Sequence, residues 1–264
     1  MTAPARLPCV LAIGGLDPGG GAGLLADARA ILAAGAFPCA VAAVLTVQST
    51  SGLVATQDVA PARLASQARA VLAHQRVRAI KTGALGSLAN LRAVAAIADA
   101  HPDIPLVVDP VLLPSRGKGR LLASSATNAL IRSLLPRATL VTANVPEAEA
   151  LLRVRITSLS EAHDAALALV RLGARAALVK GGHMSGRDAV DVLAVAGEGV
   201  TELRARRLKL AALHGGGCTL ASLVAGRLAT GASVGEAVRW AKRVHHRALG
   251  RAVDVGGDAR VLLP

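Results

Sequence analysis

Short, largely apolar runs alternate along this chain with stretches whose apolar residues recur every three or four positions. The runs are Cys9 to Ile13, Cys39 to Leu45, Leu106 to Val108, Ala138 to Val141 and Ala176 to Val179. An unbroken apolar run bounded by turn residues is what a strand buried on both faces requires, so these predict parallel strands inside a covered sheet. Between them, Leu24, Leu25, Ala28, Ile31 and Leu32 form one helix face, and Ala162, Ala165, Ala166, Leu169 and Leu172 form another. The second face is punctuated at both ends: Ser158 and Glu161 have the spacing of a capping box, and Gly173 stands where a left-handed C-cap belongs. Ser233 and Glu236 repeat the box before the last long helix. Strands alternating with helices over short connections predict an α/β fold, a doubly wound, mostly parallel central sheet with helices on both faces. Two further runs, Ala189 to Val195 and Val200 to Leu203, flank Gly197 and Gly199 and predict an antiparallel hairpin at one edge.

With 264 residues and 53% hydrophobic content, the chain can bury one substantial core, so residues 1–264 are expected to form one domain. No apolar run reaches the roughly 18 to 20 residues of a membrane span, and Met1 to Arg6 lack the apolar core and cleavage site of a signal peptide. A soluble cytoplasmic protein with no membrane association is the expectation. Cys9, Cys39 and Cys218 are far apart and odd in number, which argues against a disulfide framework or a metal cluster. The formal charge of +13 raises the question of nucleic acid. Basic residues are scattered singly along the helices, however, and one Trp, one Phe and no Tyr leave almost no surface for stacking bases, so no nucleic-acid partner is expected.

In open α/β sheets ligands bind beyond the carboxyl ends of the strands. The residues that follow the apolar runs are Gly14, Gly15 and Asp17; Thr46 and Gln48; Asp109; Thr142, Asn144 and Glu147; and Lys180 to His183. They collect glycines, carboxylates, amides and an amine on one rim. A second signal is His214-Gly215-Gly216-Gly217-Cys218-Thr219, leading into the helix pattern Leu220, Leu223, Val224, Leu228. Glycines let backbone N–H groups approach an anion at a helix start, although such turns also occur for structural reasons alone. No Gly-Lys-Ser/Thr follows, so this is not a Walker A loop. Pro18 to Gly23 also opens a helix, but residues 38 to 48 hold no acidic residue to complete a dinucleotide fingerprint. Several of these residues have plain structural readings as well: Asn144 and Glu147 as a helix cap, Lys180 as a snorkelling surface lysine, Cys218 as a small buried hydrophobe, Gln48 as a polar strand-edge residue, Asp109 as a turn cap.

Gly15-Leu16-Asp17-Pro18-Gly19-Gly20-Gly21-Ala22-Gly23 with Ala26-Asp27 resembles the glycine-rich block of the hydroxymethylpyrimidine and phosphomethylpyrimidine kinases, members of the ribokinase-like superfamily. Val108 to Val111, Thr142 to Ala148, Val179 to His183, Asp191 to Leu193 and His214 to Leu220 resemble further blocks of that family in the same order. The resemblance implies a ribokinase-like fold and ATP-dependent, Mg²⁺-assisted phosphorylation of an aminopyrimidine of thiamine biosynthesis. It implies that Cys218 is the general base and Lys180 a neutraliser of phosphate charge, with Gly215, Gly216 and Gly217 forming an anion hole. A thiol can act as such a base if a helix N-terminus lowers its pKa toward neutral pH. Asn144, Glu147 and Asp109 are implied to organise the metal, while Gly15, Asp17, Ala22, Gln48 and Ala84 are implied to surround the substrate. The Gln48 amide offers a donor and an acceptor to the ring nitrogen and amino group of the pyrimidine. A homodimer is also implied.

The chain departs from the family pattern at Leu16 and Gly19, where hydroxyl residues are usual, at Leu25 for Gln, at Ala84 for Met, at Leu213 for Thr and at Gly216 for Thr. Ala84 enlarges the pocket, and the lost hydroxyls leave two alternatives open, a pyridoxal kinase of the same fold and a non-catalytic pyrimidine or nucleotide binder. Gln48 argues against the first. The joint presence of Cys218, Asn144, Glu147 and Lys180 argues against the second.

Overall fold

A computed structural model describes residues 6–112, 121–122, 126–208 and 212–264. Residues 1–5, on which the reading of the N-terminus rests, lie outside the described residues. Nine strands form one sheet: β1 (Cys9–Leu16), β2 (Phe37–Ser49), β3 (Gly52–Asp58), β4 (Val77–Thr82), β5 (Leu106–Val108), β6 (Leu140–Asn144), β7 (Ala176–Lys180), β8 (Asp188–Val195) and β9 (Gly199–Arg206). Their spatial order is β3-β2-β1-β4-β5-β6-β7-β8-β9. The central pairings from β2 through β7 are parallel, and the sheet turns antiparallel at both edges, β2 with β3 and β7 with β8 and β9. The expected β8–β9 hairpin is present; the β2–β3 hairpin at the other edge is an addition. A short parallel pair, β10 (Leu213–His214) with β11 (Arg260–Val261), lies apart from the main sheet.

The helices are α1 (Gly23–Ala33), α2 (Pro61–His74), α3 (Leu88–Ala100), a single turn α4 (Thr127–Ala129), α5 (Val145–Leu152), α6 (Leu159–Arg171), α7 (Gly216–Ala229) and α8 (Val234–Gly250). Strand alternation divides the core in two. Cys9, Leu11 and Ile13 of β1 pack with residues of α2, α3, α5 and α6, whereas Val10 and Ala12 pack with α1, α7 and α8. Each fully buried leucine, such as Leu64 or Leu91, contributes on the order of 1.5–3 kcal/mol. Both predicted capping boxes form, Ser158 with Glu161 and Ser233 with Glu236, and Gly173 takes φ +110° just beyond α6. Among the described residues no helix is long and apolar enough to cross a membrane.

Chain order runs outward from β1 through β2 and β3 to one edge, then returns to β4 on the other side of β1. That reversal is a topological switch point, where parting loops leave a crevice at the strands' carboxyl ends.

Candidate active site

A cavity of about 790 Å³ occupies this crevice. It is lined by each residue given a catalytic, anion-hole, metal or substrate role by the family resemblance: Gly15, Asp17, Ala22, Gln48, Ala84, Asp109, Asn144, Glu147, Lys180, Gly215, Gly216, Gly217 and Cys218; Thr142 and Gly181 of the same rim do not line it.

One end of the cavity is a glycine-built helix start. Gly215 caps α7 with φ +78°, and a Cβ there would stand 2.0 Å from the Gly21 carbonyl oxygen, so only glycine fits. Gly23 takes φ +55°, with a hypothetical Cβ 2.2 Å from the Gly15 carbonyl oxygen. The two glycine-rich blocks, nearly two hundred positions apart, are thus pressed backbone to backbone. Gly216 and Gly217 open the first turn of α7, where N–H groups have no intrahelical partner. A Cβ at Gly217 would lie 3.3 Å from Lys180 Nζ, which places the ammonium beside those N–H groups.

Lys180 ends β7 and donates to Asp109 Oδ1 at 3.2 Å, with Glu147 Oε2 at 3.9 Å. Burial works against its charge, yet Asp109 and Glu147 hold the ammonium above its ordinary value. Thr142 Oγ1 donates to the same Asp109 oxygen at 3.1 Å. Asn144 and Glu147 form the capping box of α5: Asn144 Oδ1 accepts from the Glu147 N–H and Glu147 Oε2 from the Asn144 N–H, each at 2.8 Å. The structural reading of this pair is therefore realised, and it also holds the Glu147 carboxylate at the cavity wall. Burial pushes Glu147 up to about 7; Asp109 adds to the rise and Lys180 opposes it.

Cys218 sits in the first turn of α7, half-buried. The condition of a thiol pKa lowered toward neutral pH is not met here: burial pushes it up to about 12, and the pull of Lys81 does not offset burial together with Asp109 and Asp27. Lys81 and Asp27 were not singled out from the sequence as site residues. Lys81, at the end of β4, donates from Nζ to both Asp27 oxygens at 2.9 Å, and Ser222 donates to Asp27 Oδ1 at 2.8 Å. Lys81 and Asp27 are 0% and 1% exposed. Ser222 follows Cys218 by one helical turn, so this buried network ties the helix carrying the thiol to α1 and β4.

At the other end, a hypothetical Cβ on Gly15 would stand 3.5 Å from the Ala84 Cβ, and Ala84 packs with Leu53, Leu121 and Val111 in a small apolar cluster. Gln48 lies near the end of β2, not beyond it as the apolar run suggested, and meets His214, which also contacts Asp17. Other side chains missed in the sequence are His245, whose Nε2 donates to the Gly216 carbonyl at 2.9 Å and which burial pushes down to about 4, and Lys242, 2.7 Å from Asp191 Oδ2. Asp191 also accepts from the Gly181 N–H at 2.9 Å, bracing the turn after Lys180.

A switch-point cavity with a helix N-terminus and a strand-end lysine converging on one spot defines a ribokinase-like small-molecule kinase, and solved structures agree. The structure superposes on Bacillus subtilis pyridoxal kinase in an ADP complex with a TM-score of 0.90 at 26% identity, covering 97% of each chain. It superposes on phosphomethylpyrimidine kinase from Clostridium difficile with a TM-score of 0.80 at 31% identity, covering 91% of this chain and 99% of the other. A family model described as phosphomethylpyrimidine kinase matches residues 17–262. The hydroxymethylpyrimidine/phosphomethylpyrimidine kinase of Streptomyces coelicolor is 41% identical over 97% of this chain and 94% of its own, and that of Rhizobium meliloti 40% over 92% and 90%. The chain belongs to the phosphomethylpyrimidine kinase family.

Proposed function

We propose that this chain transfers the γ-phosphoryl group of ATP to the hydroxymethyl group of an aminopyrimidine, and to the monophosphate so formed, in thiamine biosynthesis. The observation that carries the reading is one cavity that gathers the Cys218 thiol, the Lys180 ammonium, a glycine-built helix N-terminus, the Gln48 amide and Ala84 of a small apolar cluster. The higher sequence identity to the pyrimidine kinases, with Gln48 in the cavity, favours this substrate over pyridoxal.

In the proposed reaction the N–H groups of Gly216 to Cys218 and the Lys180 ammonium hold the transferring phosphoryl, whose charge spreads over its outer oxygens as the bond to ADP loosens. The substrate hydroxyl, or in the second transfer an oxygen of the substrate phosphate, forms the new O–P bond, the bond from phosphorus to the ADP oxygen breaks, and Cys218 takes the proton of the attacking group. A thiol held at about 12 keeps its own proton at neutral pH, so the rate should rise with pH as the thiolate fraction grows. Mg²⁺ is commonly bound by one or two carboxylates together with substrate phosphates, and the Asp109 and Glu147 carboxylates beside Lys180 fit that donor set. When bound, the ion would neutralise phosphate charge. We further propose one kinase domain spanning residues 1–264, acting in the cytoplasm. We also propose a homodimer, the assembly that the family resemblance implies.

ADP release with hydroxymethylpyrimidine, compared between wild type and Cys218→Ala, tests the reading. A loss of about 100-fold or more supports it; equal rates remove Cys218 from the chemistry.

A further inference from the structure

Three groups meet at one nitrogen in the substrate end of the cavity. His214 Nε2 lies 2.8 Å from Asp17 Oδ2 and 2.9 Å from the Gln48 amide atom placed as Nε2. Only one proton arrangement satisfies all three. Asp17 also accepts from the Gly19 N–H at 2.9 Å and the Ala22 N–H at 2.8 Å. Burial raises this carboxyl, but His214 and those N–H groups outweigh it and hold Asp17 below the ordinary carboxylate range. An ionised Asp17 needs a proton on Nε2.

The other ring nitrogen points the same way. His214 is buried and its Nδ1 has no partner among the described residues. A proton there would be an orphaned buried donor, and Nε2 would turn a bare lone pair toward a carboxylate. The glycine block holds the ring in place, because a Cβ at Gly21 would stand 2.2 Å from His214 Cδ2.

With Nε2 protonated, a second donor cannot face it. The amide oxygen of Gln48 must occupy the position beside His214, sharing the Nε2–H with Asp17, and the amide NH₂ is turned away; the two ends are interchangeable in shape and are assigned by their hydrogen bonds.

We propose that His214, anchored by Asp17, is a specificity-determining positioning residue that fixes the Gln48 amide in one orientation, so that the pocket accepts an amino group beside a bare ring nitrogen and rejects the oxo analogue with its ring N–H. This rests on the proposed substrate class. A pyrimidine paired edge to edge with Gln48 must bring a donor to Oε1 and an acceptor to Nε2. The 4-amino compound does so, whereas the 4-oxo compound presents the opposite order and could pair only if the amide rotated by 180°. Rotation would set NH₂ against the Nε2–H.

The test is binding of 4-amino- and 4-oxo-5-hydroxymethyl-2-methylpyrimidine to wild type, His214→Phe and Asp17→Asn by calorimetry, with ¹⁵N NMR of histidine-labelled wild type. Wild type should prefer the amino compound by about tenfold or more, as a bidentate amide pair does. In His214→Phe the ratio should fall to within about threefold of unity, with Asp17→Asn intermediate, and Nε2 should carry a proton in the wild-type spectrum. An unchanged ratio in His214→Phe, or an unprotonated Nε2, overturns the proposal. Wild type that binds neither compound instead overturns the substrate class, and the nitrogen spectrum then still reports on the anchor.

Discussion

Replacing Lys81 by Met gives a sharp physical test, because it removes one half of a fully buried ion pair. Lys81 reaches both oxygens of Asp27 at 2.9 Å with essentially no solvent on either side chain, and Ser222 is the only other side chain bonded to that carboxylate among the described residues. Losing one partner of such a pair costs about 3 to 5 kcal/mol, since the remaining charge stays desolvated. Restoring charge balance with Lys81→Met/Asp27→Leu should recover most of that loss, because the ionic attraction and the desolvation cost it repays disappear together. Urea unfolding at constant m value measures both effects. Burial already raises the Asp27 carboxyl, and without Lys81 its folded value stands further above the unfolded one, near 3.9 in a model carboxylate. The single variant's deficit should therefore be smallest below that unfolded value and grow as pH rises through the folded one. A deficit below about 1 kcal/mol at neutral pH, or a double variant as unstable as the sum of both singles, would refute the buried-pair account.

Gly215→Ala should lose more than about 1 kcal/mol and most ATP-dependent turnover, since it combines positive φ with a backbone collision; thermal melting and ADP release check this. Gly216→Ala should stabilise by about 0.4 to 1 kcal/mol, because its Cβ would meet nothing nearer than His245 Nε2 at 3.8 Å; a lower melting temperature would contradict that. Glu147→Gln keeps an acceptor for the α5 cap but removes a carboxyl raised to about 7, so wild type should lose stability relative to the variant as pH climbs from about 4.3 through about 7. A pH-independent difference in unfolding free energy would count against it. Ser158→Ala should cost about 1 kcal/mol in urea unfolding by removing the α6 cap, and a change below about 0.3 kcal/mol would show that the cap contributes little.

What was legible in the sequence depended on range. Caps such as Ser158–Glu161 and strands such as β7 are short-range chemistry, and both appear as predicted. So is the rim of polar residues, because a parallel sheet delivers the ends of its strands to one place. The β4 strand was hidden by Arg78 and Lys81, which interrupt its apolar run. Lys81 is buried only because Asp27, 54 positions away, neutralises it. The His214–Asp17 pairing spans 197 positions and the thiol's shift arises from burial and from groups on three distant segments, so neither leaves a local trace. Ala84 was read as enlarging the pocket; in the structure Leu53, Leu121 and Val111 pack around it.

The central claim is phosphoryl transfer to a pyrimidine hydroxymethyl group. Purified protein with Mg-ATP should convert hydroxymethylpyrimidine and its monophosphate to products each heavier by one phosphoryl group, followed by mass spectrometry, and should leave pyridoxal far behind. Pyridoxal phosphorylated in preference to both pyrimidines would contradict the substrate, and no phosphorylated product from any of the three would contradict the kinase account itself.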